Sequence, residues 1–538
     1  MGKMENGGAM LRIIVCTKFI HGELNPFDAS ALECALEFAE SQSAESQSAE
    51  SQSAENQNAK SLEKDGVSAE LFILGMGPMT WTEPMRKLTR LGMSVKLRAV
   101  LLSDADFAGS DTLATSRILA AGVRKLEAEN GPADWIFCGR QTIDGDTAQV
   151  GPELAALLER ELAANCLELP ELTGSLPNGS AYILRTRTGM ESVQTPAVLT
   201  FERIRELRFP SLRSRAGEVE VLTRSELGIP AELCGTAGSP THVLQTFKTE
   251  RGRRKCRWIT LEELWPLLET LRDQPGRMER QIAKELAEFR EAEPENGPGS
   301  ERLDRSPCRK MPKVFAVGRE AESAAREIAE EVVFLEKTDP RTLAEAVRDA
   351  EAVLWNADLW GRKTAPQTAA LLGTGLCADC TALETDGETL FFYRPAHGGD
   401  VLAKIVCRTR PQMGTVRTAD SDAPDLILAG GRGIAGNWEK LKKLAEKLNA
   451  LPAASRALID SDGVPYEYQI GLTGRCVSPK IYVSVGISGA VQHTCAIENA
   501  DVIIAVGPDR NARIFEYADY GIEARAEELW DPAEKQHV

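Results

Sequence analysis

At 538 residues and 43% hydrophobic content, the chain has material for several cores, and domain sizes of about 100–200 residues predict three domains. Its formal net charge of −17, from 80 acidic and 63 basic side chains, would repel a polyanion and argues against nucleic acid as a partner. No stretch approaches the roughly 18 consecutive apolar residues of a bilayer span, and MGKMENGGAM lacks the apolar core of a signal peptide, so direct membrane insertion is not expected.

The first expected strand is Leu11 to Thr17 (LRIIVCT), followed by a helical pattern over 29–40 with Leu32, Leu36 and Phe38 on its apolar side. SQSAE then repeats with a five-residue period from Ser41 to Glu55; its small polar residues predict a solvated loop or an extension of the helix. Strands are expected at 67–74, 99–102 and 135–138, with helices through 113–126 and from Pro152. A second α/β run starts at Lys313 (KVFAVG), with a helix over 321–331 and a strand at 352–355, and a third starts at Asp425 (DLILAGG). Alternation of this kind predicts α/β architecture: three doubly wound units, each a mostly parallel sheet covered by helices. The expected boundaries are 1–235, a linker together with the start of the following part at 236–312, then 313–423 and 424–538. The linker holds a basic run, Arg251 to Arg257, read as a solvated face, and a Pro/Gly/Glu-rich stretch over 293–307.

Twelve scattered cysteines in mostly apolar surroundings predict reduced thiols and a cytoplasmic protein. Cys377 and Cys380 form a CxxC with no second pair and no nearby histidine, so a zinc site lacks its other ligands and no metal is expected.

In the third unit, strand ends and glycine turns recur. Gly430-Gly-Arg-Gly433 follows a strand and precedes a helix from Trp438; Ala454-Ser-Arg-Ala457 has Asp460 close behind; Gln469-Ile-Gly-Leu-Thr-Gly474 carries a hydroxyl at Thr473; and Gly486-Ile-Ser-Gly-Ala-Val-Gln-His493 opens a helix. Glycines at such turns let backbone amides approach a phosphate, and in an open parallel sheet the turns converge on one crevice. Alone, GGxG can be a tight strand-to-helix turn.

These four motifs, in this order, resemble the large subunit of electron-transfer flavoproteins, and so does Ile514-Phe-Glu-Tyr-Ala-Asp-Tyr-Gly521. Upstream, Gly361-Arg362 and the stretch 371–381 resemble the preceding domain of that subunit. The resemblance implies a Rossmann-like FAD-binding C-terminal unit preceded by two units of the adenine nucleotide alpha hydrolase-like kind. It implies that FAD is held by Arg432, Ser455, Arg456, by Gln469, Ile470, Gly471, Leu472 and Thr473, by Ser488, Gly489, Ala490, Val491, Gln492 and His493, and by Gly507. Arg456 would favour a negatively charged reduced flavin, Thr473 would lie near flavin N5, and His493 would donate beside the pyrimidine carbonyl. Two positions depart from the family: Gly507 stands where Asn is frequent, and an acidic residue of the family beyond ADYG is replaced near Arg525, which leaves contacts to the adenosine half less defined.

In the first unit, Gly139-Arg-Gln-Thr-Ile-Asp-Gly-Asp-Thr-Ala-Gln-Val-Gly151 follows a strand and leads into a helix with Pro152 in its first turn. With Asn25-Pro-Phe-Asp28 and Gly109 to Ser116, it resembles the small subunit of the same family over roughly 10–230, so one chain would carry both subunits. The resemblance implies a nucleotide held by Asn25, Asp144, Asp146, Thr147, Gln149, Val150 and Gly151: AMP in ordinary members, a second FAD in electron-bifurcating ones. The DGDTAQVGP form resembles the bifurcating group, which would take electrons from NADH, while Thr415-Val-Arg-Thr-Ala419 departs from that group's large subunit. Phe209-Pro-Ser-Leu212 resembles the family's partner-recognition loop, in which a leucine docks on the partner; Leu212 is equally readable as an ordinary surface leucine.

The implied function is electron transfer between a flavin dehydrogenase, such as an acyl-CoA dehydrogenase, and a ferredoxin, a flavodoxin or a quinone oxidoreductase. Two alternatives stand beside it: a non-redox regulatory protein that binds adenine nucleotides, and a self-contained flavin dehydrogenase with His493 as its only evident acid or base.

Overall fold

A computed structural model describes residues 10–53, 69–92, 95–176, 179–248, 254–274, 309–396, 401–416, 425–465, 468–471, 477, 479–494, 496–497 and 500–530. The expected α/β class holds. The first unit is built on a ten-stranded sheet whose central strands, Ala197–Phe201, Trp135–Gly139, Leu11–Thr17, Ala69–Met76 and Lys96–Leu102, run parallel. These strands read as continuous apolar runs because both faces are covered. One face packs the helix that follows the first strand, with Phe38, Trp135, Phe137 and Tyr182 in mutual ring contact; the other packs helix Thr112–Asn130. The helix expected over 29–40 spans Pro26–Ser53, so the SQSAE repeat continues it at least that far.

The second unit has a five-stranded parallel sheet, ordered Ala329–Leu335, Met311–Val317, Ala352–Asn356, Gln412–Val416, Leu376–Cys380. Its first helix is shorter than predicted: it spans Glu322–Ile328, and the chain then turns into a strand at Ala329. Val332 and Val333 explain the difference, since β-branched side chains favour the pleated conformation over a further helical turn.

The segment expected as a linker and the start of the following part contains ordered elements. Thr241–Lys248 pairs antiparallel with Val401–Cys407 in a four-stranded sheet, Arg257–Trp258 adds an edge to the third unit's sheet, and helix Leu261–Asp273 buries Leu264, Leu268 and Leu271 against that unit. The basic run is not wholly a solvated face: Arg254 ion-pairs with Asp519 and donates to the Ala500 carbonyl, tying the crossing segment to the third unit. Residues 251–253 and 293–307 lie outside the described residues.

Among the described residues no helix is long and apolar enough to cross a membrane, and no cluster of His, Cys, Asp and Glu could hold a metal. Cys377 and Cys380 lie buried on one strand, and Cys377 sits 3.9 Å from Cys407.

Candidate functional site

The third unit's seven strands are all parallel, ordered Arg257–Trp258, Tyr520–Glu523, Val502–Gly507, Ile481–Val485, Leu426–Gly430, Leu451–Ser455, Gln469–Ile470. From strand 426–430 the chain steps outward twice, returns to the other side of that strand at 481–485 and steps outward twice more. The reversal opens a crevice beyond the carboxyl ends of these two strands, where ligands bind in sheets of this type.

Both turns at this crevice are glycine-built. The Gly431 amide donates to the Val485 carbonyl (2.8 Å) and the Gly433 amide to the Gly486 carbonyl (3.0 Å). A Cβ on Gly431 would sit 2.2 Å from the Gly486 oxygen, and Gly433 and Gly486 would each push a Cβ to 2.8 Å from the other's Cα. These glycines therefore let two loops interlock. The Gly431 and Gly433 amides are committed to the facing loop, so what these two offer is close approach rather than direct capture of a phosphate. On the far side, Gly489 has φ +84° and abuts the Arg513–Ile514 backbone, whose Ile514 amide donates to the Ser488 carbonyl (3.2 Å).

A cavity of about 270 Å³ opens at this edge, lined by Gly433, Gly486, Gly507, Pro508, Arg525, Ala526 and Glu527. Gly507 and Arg525, singled out in the sequence as departures, thus line one hollow. Pro508, Ala526 and Glu527 were not anticipated; they follow the ends of strands 502–507 and 520–523, so strand order alone would have pointed to them.

Around the crevice, Arg432, Arg456 and Ser488 are exposed. Ser455 caps helix Arg456–Asp462, accepting from the Leu458 amide, while Arg456 pairs with Asp460 at 3.0 Å and approaches Glu206 of the first unit at 3.8 Å. Gln469 and Ile470 are buried on the short outer strand. Leu472 and Thr473 lie outside the described residues, as do the side chains of Val491 and Gln492.

His493 is buried, with Nδ1 3.1 Å from the Ile470 carbonyl and Nε2 2.8 Å from the Tyr482 hydroxyl. A carbonyl only accepts, so Nδ1 carries the proton and Nε2 accepts from Tyr482. Burial pulls the imidazole pKa down to about 4 despite the bond to Ile470, which keeps the ring neutral. The donor role expected for His493 is therefore not what this geometry arranges, because its single N–H is already used inside the protein.

In the first unit, two predicted loops meet. Asn25 is fully buried, donating to the Gln141 carbonyl (2.9 Å) and accepting from the Ile143 amide (3.4 Å). Asp144 pairs with Lys18 at 2.7 Å; burial alone would raise its pKa, but hydrogen bonds from Lys18 and Thr142 outweigh that and lower it. Asp146, in the left-handed region at φ 52°, accepts from Gln141, and Thr147 is half-buried beside it. Val150 begins helix Val150–Leu157, and Gly151 gives close helix–strand packing, since a Cβ there would lie 2.3 Å from Thr200 Cγ2.

Gln149 does not join this group. Its Nε2 donates across to the Leu376 carbonyl of the second unit (2.9 Å), while its Oε1 accepts from the Thr112 hydroxyl (2.5 Å). Thr112 and Ser116, from the third predicted loop, also bond the buried Glu153 (3.1 and 2.7 Å). Periodicity could not separate a ligand-facing Gln149 from one facing another helix. Burial pushes the Glu153 pKa up to about 8, so at neutral pH it is protonated and can donate toward Thr112. Because the folded pKa exceeds the unfolded one, its stabilising contribution is complete below about pH 4.5 and is lost as pH rises through 8. Glu153→Gln should therefore flatten the decline in stability over that window, leaving the variant more stable than wild type at pH 8 by on the order of 1–3 kcal/mol. Thermal denaturation at several pH values checks this; parallel curves would refute it.

The fold is α/β, with a glycine-built crevice at the strand ends of its last unit. Residues 421–498 match the electron transfer flavoprotein FAD-binding domain. Residues 56–227 and 316–444 each match the electron transfer flavoprotein domain, together more than half of the chain. The chain belongs to the electron transfer flavoprotein family. It is 36% identical over 218 residues to electron transfer flavoprotein subunit alpha of Thermoanaerobacterium thermosaccharolyticum (32% of this chain, 66% of that protein). It is 34% identical over 223 residues to protein FixB of Rhizobium meliloti (33% and 63%), and 34% over 246 residues to acryloyl-CoA reductase electron transfer subunit beta of Anaerotignum propionicum (32% and 67%). The chain thus spans about two thirds of the length of these relatives.

Proposed function

We propose that this chain is an electron carrier in which parts equivalent to the small and large subunits of an electron-transfer flavoprotein are fused, with FAD held in the C-terminal unit. The observation that carries this reading is the presence in one polypeptide of two electron transfer flavoprotein domains and an FAD-binding domain. The crevice suits a dinucleotide: interlocked glycines leave its wall free of side chains, and the cavity brings Arg525 beside that wall. FAD, when bound, supplies the electron-accepting chemistry.

The protein's part is positioning and charge. Arg432 and Arg456 bring guanidinium groups to the strand ends, where positive charge favours phosphate and a negatively charged reduced ring. Ser488 offers a hydroxyl, Ser455 orders the turn that presents Arg456, and Gln469 through Thr473, Gly489 through Gln492 and Gly507 are the remaining residues proposed to contact FAD. In the first unit, Asn25, Asp144, Asp146, Thr147, Val150 and Gly151 frame a second nucleotide. The DGDTAQVG loop favours a second FAD, and with it reduction by NADH, over AMP. Fusion fixes the two parts at equal stoichiometry and high effective concentration. The exposed Phe209–Leu212 turn offers a docking point for an acyl-CoA dehydrogenase or a similar flavin enzyme; the Anaerotignum propionicum relative is named for an acryloyl-CoA reductase. The electrons would pass on to a ferredoxin, a flavodoxin or a quinone oxidoreductase in the cytoplasm.

Acid release and chromatographic counting of FAD and AMP per chain test this. Two FAD and no AMP support the two-flavin form and predict direct reduction by NADH; one of each gives the conventional carrier, reduced only through a dehydrogenase. A chain that takes up no FAD even on reconstitution is not an electron carrier of this kind.

A further inference from the structure

Arg394 lies on strand Leu390–Ala396 of the second unit and is only 6% exposed, yet among the described residues no carboxylate pairs with it and its Nε has no partner. Lys404, the buried cation opposite Tyr393 on the neighbouring strand, is by contrast paired with Glu384 at 3.1 Å. Removing a guanidinium from water is costly unless something meets its charge. What Arg394 meets is the first unit: its Nη2 donates to the Gly145 carbonyl at 2.8 Å. Gly145 stands in the 139–151 loop, and at the far end of that loop Gln149 donates to the Leu376 carbonyl, again of the second unit (2.9 Å). The two bonds bracket Asp146 and Ala148, both left-handed, at φ 52° and 54°. A residue with a Cβ disfavours that conformation, so a loop held at neither end would relax out of it. Gln141 steadies Asp146 with a bond of 3.0 Å, whereas Ala148 has no side-chain bond to make and depends on the bracketing contacts.

Resting on the assignment of a second nucleotide to the first unit, we infer that Arg394 is a positioning residue for that nucleotide, supplied across the unit boundary. It holds the Gly145–Gln149 stretch in the left-handed shape that frames the ligand, so that the loop is formed before the ligand arrives. Its charge, which no carboxylate among the described residues offsets, also adds attraction for an anionic ligand at the loop. The first unit's site is therefore complete only with the second unit's strand against it.

The test uses the full-length chain, stripped of bound nucleotide and titrated with AMP and, separately, with FAD. Arg394→Gln removes an unpaired buried charge, so the variant should fold with an undiminished Tm. Without nucleotide, amide exchange over 144–149 should speed up roughly tenfold in this variant, and the first unit's affinity for whichever nucleotide it takes should fall about tenfold, with FAD uptake by the third unit unchanged. Arg394→Lys keeps a charge that can still reach a carbonyl and should lose less than about threefold. Ala148→Gly, which removes the left-handed penalty, should restore roughly threefold of the affinity lost in Arg394→Gln and do little in the wild-type background, where the loop is already held. Unchanged loop exchange or unchanged affinity in Arg394→Gln, or an equal effect of Ala148→Gly in both backgrounds, would overturn the positioning role while leaving a second nucleotide in place. Wild-type chain whose first unit binds neither AMP nor FAD, with loop exchange still rising in Arg394→Gln, would instead show that Arg394 holds the loop and that the nucleotide assignment fails.

Discussion

Gly489→Ala is expected to purify with less than about one-tenth of the wild-type FAD content. Gly489 has φ +84°, a region costing an L-residue roughly 1–2 kcal/mol, and its added Cβ would lie 2.1 Å from the Ile514 nitrogen and 2.6 Å from the Arg513 carbonyl carbon. Both are backbone atoms, so no side-chain rotation relieves the clash. The 486–490 turn and the 513–516 helical turn must part, and the crevice with them. Gly436→Ala separates strain from collision: its φ is +79°, yet nothing lies within 4 Å of a Cβ there. That variant should lose about 1 kcal/mol of stability and keep its flavin. Equal FAD content in the two variants would show that the glycine crevice is not the FAD site.

Leu212→Ala should slow electron transfer with a partner dehydrogenase about thirtyfold while leaving Tm and FAD content unchanged. Leu212 is 100% exposed and Phe209 95% exposed. The turn between them is held firmly, with the Ser211 carbonyl accepting from the Ser214 amide (3.1 Å), the Ser214 hydroxyl (2.7 Å) and Arg90 (3.3 Å). Truncating a solvated leucine barely alters folding, within about 0.5 kcal/mol, whereas an apolar anchor in a partner's pocket is worth roughly 2 kcal/mol, which sets the thirtyfold figure. Met190→Ala, at another exposed apolar position, is the control. Stopped-flow rates for Leu212→Ala equal to those of wild type would make Leu212 an ordinary surface residue.

Much of the fold was legible in the chain. The strands at Leu11, Lys313 and Asp425 announce themselves because a parallel strand covered on both faces must be a continuous apolar run. The glycine turns of the third unit were legible too, since close backbone approach admits no other residue. Less legible was the segment between the first two units. Its composition reads as linker, but Thr241–Lys248 and Arg257–Trp258 become strands only because Val401–Cys407 and Tyr520–Glu523 leave edges for them. Arg254 looks like one charge in a basic run until Asp519 is seen beside it.

For the site, sequence alone determined which turns carry glycine, hydroxyl and guanidinium groups, and their chain order predicted that they would converge. Tertiary structure decided what each side chain touches. Gln149 and His493 show why: both sit in motifs that suggest a ligand, yet one bonds a carbonyl 227 positions away and the other is enclosed by Tyr482 and Ile470. A polar side chain that folding removes from water bonds whatever partner the packing brings within 3 Å or so, and that partner is set by strand order and helix contact rather than by its neighbours in the chain.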